Sequence, residues 1–189
     1  MIEWDTVKSA VAAWVLAATG LPPGRAIWSQ QGGDRPGPPF VEMRFARVRG
    51  IGLDWQEVVE VQNPTPGQEL QHRSRGVREL LLTLKCFAPA RTGATGAQSA
   101  VALLERVVST AALPTRRAAL GAAGVGVVAF GPVLAIDGVV GSSVLEPRAT
   151  LEARCHIGSE VSDFSTYIET VELTNELTES TFVVELENA

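Results

Sequence analysis

The sequence of 189 residues has few of the side chains that build catalytic or cross-linked sites. It contains two cysteines, Cys86 and Cys155, two histidines and a single tyrosine. Two cysteines 69 positions apart cannot form the dense disulfide framework of a small secreted domain or the four-ligand cluster of a zinc module. A reducing compartment is the simpler interpretation of these thiols.

Positive charge is missing from the C-terminal part of the chain. Residues 159–189 contain eight of the 21 acidic residues and neither Lys nor Arg, so residues 1–158 have a net charge of +3 within a chain of −5. The dense basic patch and high pI of a nucleic-acid-binding protein are absent. Of the 16 basic residues, 14 are Arg, which suits interface contacts, although a GC-rich coding bias explains the excess equally well. This charge segregation favours protein partners.

The sequence also lacks a convincing membrane-spanning run. Residues 118–136 are uncharged for 19 positions, but four glycines and Pro132 interrupt them, so we expect a buried strand and a turn. The N-terminus, Met1 to Asp5, is acidic where an export signal is basic. We therefore predict neither a membrane span nor a cleaved signal.

The apolar residues that are present predict an α+β fold. Apolar positions spaced as in a helix follow Asp5, a candidate N-cap, and recur in a second helix over 98–110. Alternating apolar and polar positions predict strands. The predicted strands are 40–47, 58–61, 80–86, 125–130 and 149–157. The expected architecture is a mixed or antiparallel sheet flanked by two main helices in one domain.

Two further segments are candidates for binding partners. Residues 62–76 are polar and rich in proline, which predicts a long exposed connection. Residues 166–174 and 181–186 are β-prone but contain several Glu, which is typical of edge strands or of a flap exchanged with a neighbouring subunit. We therefore divide the chain into a domain, 1–158, and an acidic C-terminal extension or arm, 159–189. The candidate interface residues are His72, Arg73, Arg75, Arg78, Glu169, Glu172, Glu176 and Glu179.

No pattern of catalytic, cofactor-binding or metal-ligating residues emerges. Cys155 and His156 are adjacent on an alternating strand, so their side chains point to opposite faces and cannot act as a pair. Cys86 lies on an apolar face, no His or Cys pair has ligand spacing, and the glycine-rich run 121–126 lacks the Lys of a phosphate loop. We predict no enzyme and no cofactor, with a small hydrolase using Cys86 or a buried carboxylate as the alternative.

The order of the non-catalytic signals resembles the neck and tail terminator proteins of tailed bacteriophages, which complete the tail and join it to the head. The resemblance is carried by the opening helix with Trp14 and by a series of short motifs after it. These motifs are Thr19-Gly20-Leu21-Pro22, Ile27-Trp28, Gln30-Gln31, Arg35-Pro36 and Pro39-Phe40-Val41. It continues loosely to the strand around Ala149–Arg154, and the segment 159–189 has no counterpart in it.

The resemblance implies a structural virion protein that assembles in the cytoplasm of the bacterial host. Its subunits would form a ring, a hexamer, at the head-proximal end of the tail tube, stop tube polymerisation and offer a docking surface to the head connector. Its implied partners are further copies of itself, the tail tube protein, a head connector or head-completion protein and, in a contractile tail, the sheath. DNA would only pass through the lumen. Another head-completion or tail-tube-associated role is the alternative.

Overall fold

The structure, a computed structural model, contains three helices and ten strands in the residues that it describes. For residues 139, 140, 144, 145, 170–175 and 180–185 it describes the backbone alone. The described residues are 2–29, 32–89, 99–140, 144–166, 170–175 and 180–185. In chain order the elements are α1 (Trp4–Thr19), β1 (Ala26–Trp28), β2 (Phe40–Glu60), β3 (Leu70–Phe87), α2 (Ala100–Ala111), α3 (Pro114–Ala122), β4 (Val125–Phe130), β5 (Leu134–Ala135), β6 (Gly138–Val140), β7 (Val144–Glu146), β8 (Arg148–Ser165), β9 (Thr170–Asn175) and β10 (Ser180–Glu185).

Helix α1 forms where the apolar spacing predicts it. Its apolar stripe is buried, and the helix ends at Gly20, whose positive φ of 72° lets its N–H donate to Leu16 O at 2.8 Å. Asp5 does not cap the helix: Glu3 occupies the N-cap position without a side-chain hydrogen bond, and Asp5 lies in the first turn. Its carboxylate is still favourable there because the helix dipole is positive at that end.

The main sheet has the order β1-β2-β3-β8-β4, with β5 also paired to β8. Strand β1 runs parallel to β2, with Ala26 opposite Val41, whereas β4 and β5 run antiparallel to β8. Strands β2 and β3 form a hairpin, which is closed by the hydrogen bond from Val61 N–H to Glu69 O at 2.9 Å. The sheet is therefore mixed and open, and the predicted α+β class is confirmed.

One face of this sheet carries the core. The inward positions of β3 and β8, such as Leu82, Leu84 and Leu151, are fully buried and share one cluster with the apolar faces of the three helices. Arg106 of α2 and Arg116 of α3 donate to Thr19 O and Ala17 O, each at 3.1 Å. These bonds satisfy carbonyls that the end of α1 leaves without helical partners, and so they fix α2 and α3 against α1.

The structure corrects two further expectations. Three helices rather than two flank the sheet, because Pro114 begins α3 instead of only ending α2, and the first turn of a helix needs no N–H from proline. The predicted connection 62–76 is too long, since residues 70–76 belong to β3. Both faces of β3 are outside the core over residues 70–76. The sequence therefore has no alternation of apolar and polar residues there that would predict a strand.

The described chain divides into two compact units. Unit 1 consists of residues 1–53 and 76–159, and unit 2 consists of residues 54–75 and 160–189. Within unit 2, β9 and β10 pair antiparallel with each other, with Thr170 opposite Glu185. The division of the sequence into a domain and an arm at residue 158 stays a prediction. No helix in the described part of the chain is both long enough and apolar enough to cross a bilayer.

Candidate partner-binding surface

Strand β3 holds the four basic residues that the sequence analysis singles out. Three of them lie in unit 2, where His72 Nε2 is 2.8 Å from Ser165 Oγ and Arg73 Nε donates to Gln71 Oε1 at 2.7 Å. Arg78 lies further along the strand, in unit 1, and its Nη1 donates to Val77 O at 3.4 Å. Because side chains alternate along a strand, His72 points away from the face that Arg73 shares with Gln71.

Arg75 connects two carboxylates of unit 2. Its Nε donates to Glu160 Oε2 at 3.2 Å, and its Nη1 lies 3.8 Å from Glu57 Oε2. All three side chains are between 39% and 52% exposed, so water screens these ion pairs and they contribute little free energy. Glu160 belongs to the acidic C-terminal run, and its observed partner is an arginine of its own chain.

The four candidate glutamates of the C-terminal run are mostly beyond what the structure describes. Glu169, Glu176 and Glu179 lie outside the described residues. Glu172 lies in β9, where its backbone is opposite Val183 of β10. Their contacts with a partner therefore stay a prediction.

Unit 2 contains no buried side chain in residues 54–75 and 160–166. Its strands instead expose large apolar groups, of which Trp55 is the most prominent at 69%, followed by Val161, Val58 and Phe164. A sheet without a second layer cannot bury its apolar faces by itself. Exposed apolar surface of this kind marks a site of protein contact. Trp55 is not among the predicted candidates, although Ile51, Leu53 and Trp55 alternate with Gly52, Asp54 and Gln56 as in a strand with one apolar face.

Unit 1 contains an apolar groove, defined here as the cavity between α2, α3 and β4. Its volume is about 710 Å³, and Arg117 contributes the charge among its lining side chains. The other lining residues are small or apolar: Val108, Ala111, Ala112, Ala118, Leu120, Gly121, Val125, Gly126, Val127, Val128 and Phe130. The groove has the size of a ligand pocket but none of the convergent polar groups that orient a small molecule for chemistry.

Two charged clusters in unit 1 have structural roles. Glu79 is 6% exposed and accepts hydrogen bonds from Arg49 Nε at 2.8 Å and Arg47 Nη2 at 3.4 Å. The bond from Arg49 lowers the pKa of Glu79 most, burial opposes it, and the positive charges of Arg49, Arg47 and Arg154 lower it further. This carboxylate is therefore held ionised by its neighbours.

The second cluster fixes the proline-rich segment before β2. The guanidinium of Arg35 lies 4.4 Å from the ring centroid of Phe87 and 5.0 Å from that of Phe40, and the two rings stack at 4.6 Å. Arg35 Nη2 also contacts both oxygens of Glu146, at 2.9 and 3.1 Å, and Arg148 Nε contacts the same carboxylate at 2.7 Å. A planar guanidinium can stack on the aromatic rings and donate hydrogen bonds to the carboxylate at the same time.

The two thiols lie in the core of unit 1. Cys86 and Cys155 are 0% and 2% exposed, and burial raises the pKa of each to about 12. Both are therefore protonated near neutral pH and are poor nucleophiles. Among the described residues no group of three or more His, Cys, Asp and Glu side chains has the arrangement to hold a metal ion.

A family model described as phage neck terminator protein matches residues 5–181. The chain belongs to this family. Phage neck terminators are structural proteins of the virion and associate with other tail and head proteins, so this neck terminator is a phage structural protein of the neck and tail. No curated protein matches the sequence. The match extends into the acidic C-terminal run, for which the sequence analysis finds no family counterpart.

Proposed function

We propose that this neck terminator assembles into a ring, a hexamer, at the head-proximal end of the tail tube. The ring terminates tube polymerisation and offers the docking surface for the head connector. The observation that carries this proposal is unit 2, whose strands expose Trp55 and contain no buried side chain in residues 54–75 and 160–166. Such a surface requires a partner, and the neck is a site where protein rings stack.

The partners that this role requires are further copies of the chain, the tail tube protein and a head connector or head-completion protein. A sheath is a further partner if the tail is contractile, and DNA only passes through the lumen. Assembly takes place in the cytoplasm of the bacterial host. The proposed ring contacts involve basic residues on β3 and acidic residues of the arm, 159–189. These residues are His72, Arg73, Arg75, Arg78, Glu169, Glu172, Glu176 and Glu179.

The ion pairs of Arg75 are compatible with a contact between this residue and acidic residues of a neighbouring subunit. Its contacts with Glu57 and Glu160 are exposed and weak, so carboxylates of a neighbouring subunit can replace them at little cost in free energy. The role proposed here involves no catalysis and no cofactor. Support comes from the structural character of the family and from the protonated state of Cys86 and Cys155.

Depletion of the protein from infected cells tests this role. We expect tails assembled without it to have tubes of uncontrolled length and to remain unjoined to heads, and purified protein added to these tails to restore joining. In negative-stain images the purified protein should form discrete rings, and these should bind the head-proximal tip of the tubes. Normal joining without the protein would contradict the proposal. Rings that bind the head vertex but not the tube would assign it to head completion instead.

A further inference from the structure

Two surfaces of the chain are apolar and uncovered in a single copy. One is the exposed apolar surface of unit 2 around Trp55, and the other is the apolar groove of unit 1 between α2, α3 and β4. We propose that these surfaces bind each other between copies, so that Trp55 of one subunit inserts into the groove of the next. This inference rests on the proposed ring and assigns the surfaces that build it.

The groove has a shape that accepts a large side chain. Leu120 and Val125 are 3% exposed and form its floor, whereas Ala112, Ala118 and Val128 are exposed at its rim. The small side chains of α3 leave room between the helix and β4. A volume of about 710 Å³ exceeds what one indole fills, so neighbouring side chains of the same surface can enter with it.

Trp55 has the properties of an anchor for this groove. It is 69% exposed on β2, and a tryptophan that inserts into an apolar pocket buries roughly 150–250 Å². Tryptophan is also enriched among the few residues that carry most of the free energy of an interface. Val58 and Val161 are 57% and 58% exposed in the same unit, which therefore exposes further apolar side chains besides Trp55.

Charge complementarity favours a second copy of this chain as the occupant. Unit 2 contains 12 acidic residues and two arginines, a net charge of −10, and unit 1 contains 14 basic and nine acidic residues, a net charge of +5. Arg117 lines the groove and is exposed, so it can meet Glu57, which lies two positions from Trp55 on the same face of β2. Unit 2 of one copy therefore attracts unit 1 of the next copy, whereas two copies of the same unit repel each other.

The two surfaces are different from each other, and this decides the kind of assembly. A twofold dimer needs one surface that is complementary to itself, whereas a contact between unlike surfaces leaves one of each free on every complex. Further copies then add until the rotation closes. A contact of this kind therefore produces a ring where the rotation closes, as the neck role requires, and an open filament where it does not.

Filling the groove tests the inference. We expect Ala118→Trp to weaken self-association at least tenfold, because the new indole occupies the space that Trp55 of the neighbour needs. Ala119→Trp is the matched control, since Ala119 is exposed on the same helix but does not line the groove. The measurement is the oligomer size of the full chain by light scattering over a range of concentrations, with circular dichroism to verify folding.

Removing the anchor should have the same effect as filling the groove. Trp55→Ser should weaken association at least tenfold, whereas Leu134→Ser, which also removes an exposed apolar side chain, should not. Raised salt should weaken association of the unaltered chain, because part of the attraction is between exposed charges.

The outcomes separate this inference from the role on which it rests. If the unaltered chain forms rings and both Ala118→Trp and Trp55→Ser form them equally well, the groove contact is wrong and the neck role stands. If Ala118→Trp forms normal rings that no longer join heads, the groove binds another virion protein and the inference is again wrong. If the unaltered chain forms no ring, in solution or on tail tubes, the proposed function fails as well.

Discussion

Glu79 shows how a single buried carboxylate depends on the charges around it. It lies on β3 at a position whose neighbours Leu80 and Leu82 face the core, and two arginines of β2 hold it from the opposite face. Without these arginines, burial would favour the neutral acid. The two ion pairs therefore connect β2 to β3 through their side chains.

The lowered pKa of Glu79 predicts a dependence of stability on pH. Since the pKa is below its ordinary value of 4.5 in the folded state, ionised Glu79 stabilises the fold above that pH, and this stabilisation is lost as the pH falls from 4.5 through the lower, folded pKa. In urea titrations, Glu79→Gln should be less stable than the unaltered chain at pH 7, and the difference should shrink below pH 4.5. Glu152→Gln, at an exposed position of β8, is the control. A difference that stays constant down to pH 2 would show that the charge of Glu79 is not responsible.

At the scale of elements, Arg35 joins the segment before β2 to the strands around Glu146. Replacing Arg35 by Met removes the two bonds to the buried carboxylate and the contacts with both rings, at a cost of about 1–3 kcal/mol in unfolding free energy. Arg35→Lys keeps the charge but not the planar contact, so we expect an intermediate loss. Urea unfolding measures both. Arg35→Lys with the stability of the unaltered chain would show that charge alone matters there.

The sequence predicts those elements whose faces differ in polarity. The alternation of Leu80 to Cys86 and of Ala149 to Ile157 identifies the inner parts of β3 and β8 because one face of each is in the core. The outer parts of the same strands escaped prediction, since both of their faces lie outside the core and no alternation marks them. Helix α3 is absent from the prediction because proline is typical of a helix end, although the first turn of a helix tolerates it as well.

The sequence singles out charged residues of the candidate surface but not Trp55. His72, Arg73 and Arg75 stand out in the sequence as polar residues that no core requires, and the structure places all three on unit 2. The sequence does not indicate Trp55 as a surface residue, because tryptophan side chains are buried on average and only the structure shows that this one is exposed. Exposure depends on which strands have a second layer, which is a property of the whole fold.

For the whole molecule, the segregation of charge predicts what the end of the chain does. Truncation after Thr166 preserves β8 to its end and removes six acidic residues, which changes the net charge from −5 to +1. We expect the truncated chain to fold but to associate more weakly, with a smaller dependence on salt, because the attraction between unlike units is reduced. Light scattering at low and high salt measures both effects. Rings of normal stability and salt dependence would show that residues 167–189 take no part in assembly.

The order of strands also has a consequence for how the chain folds as it is synthesised. Strand β3 lies between β2, which precedes it directly, and β8, which begins at Arg148, about 60 residues after β3 ends at Phe87. At a translation rate of roughly 5–20 residues per second, the edge of β3 that pairs with β8 stays unpaired for several seconds. During this interval Leu80, Leu82 and Leu84 belong to a nascent strand with an open edge, the species most prone to aggregate. Until β8 has been synthesised, this edge of β3 is therefore open to pairing with strands of other nascent chains.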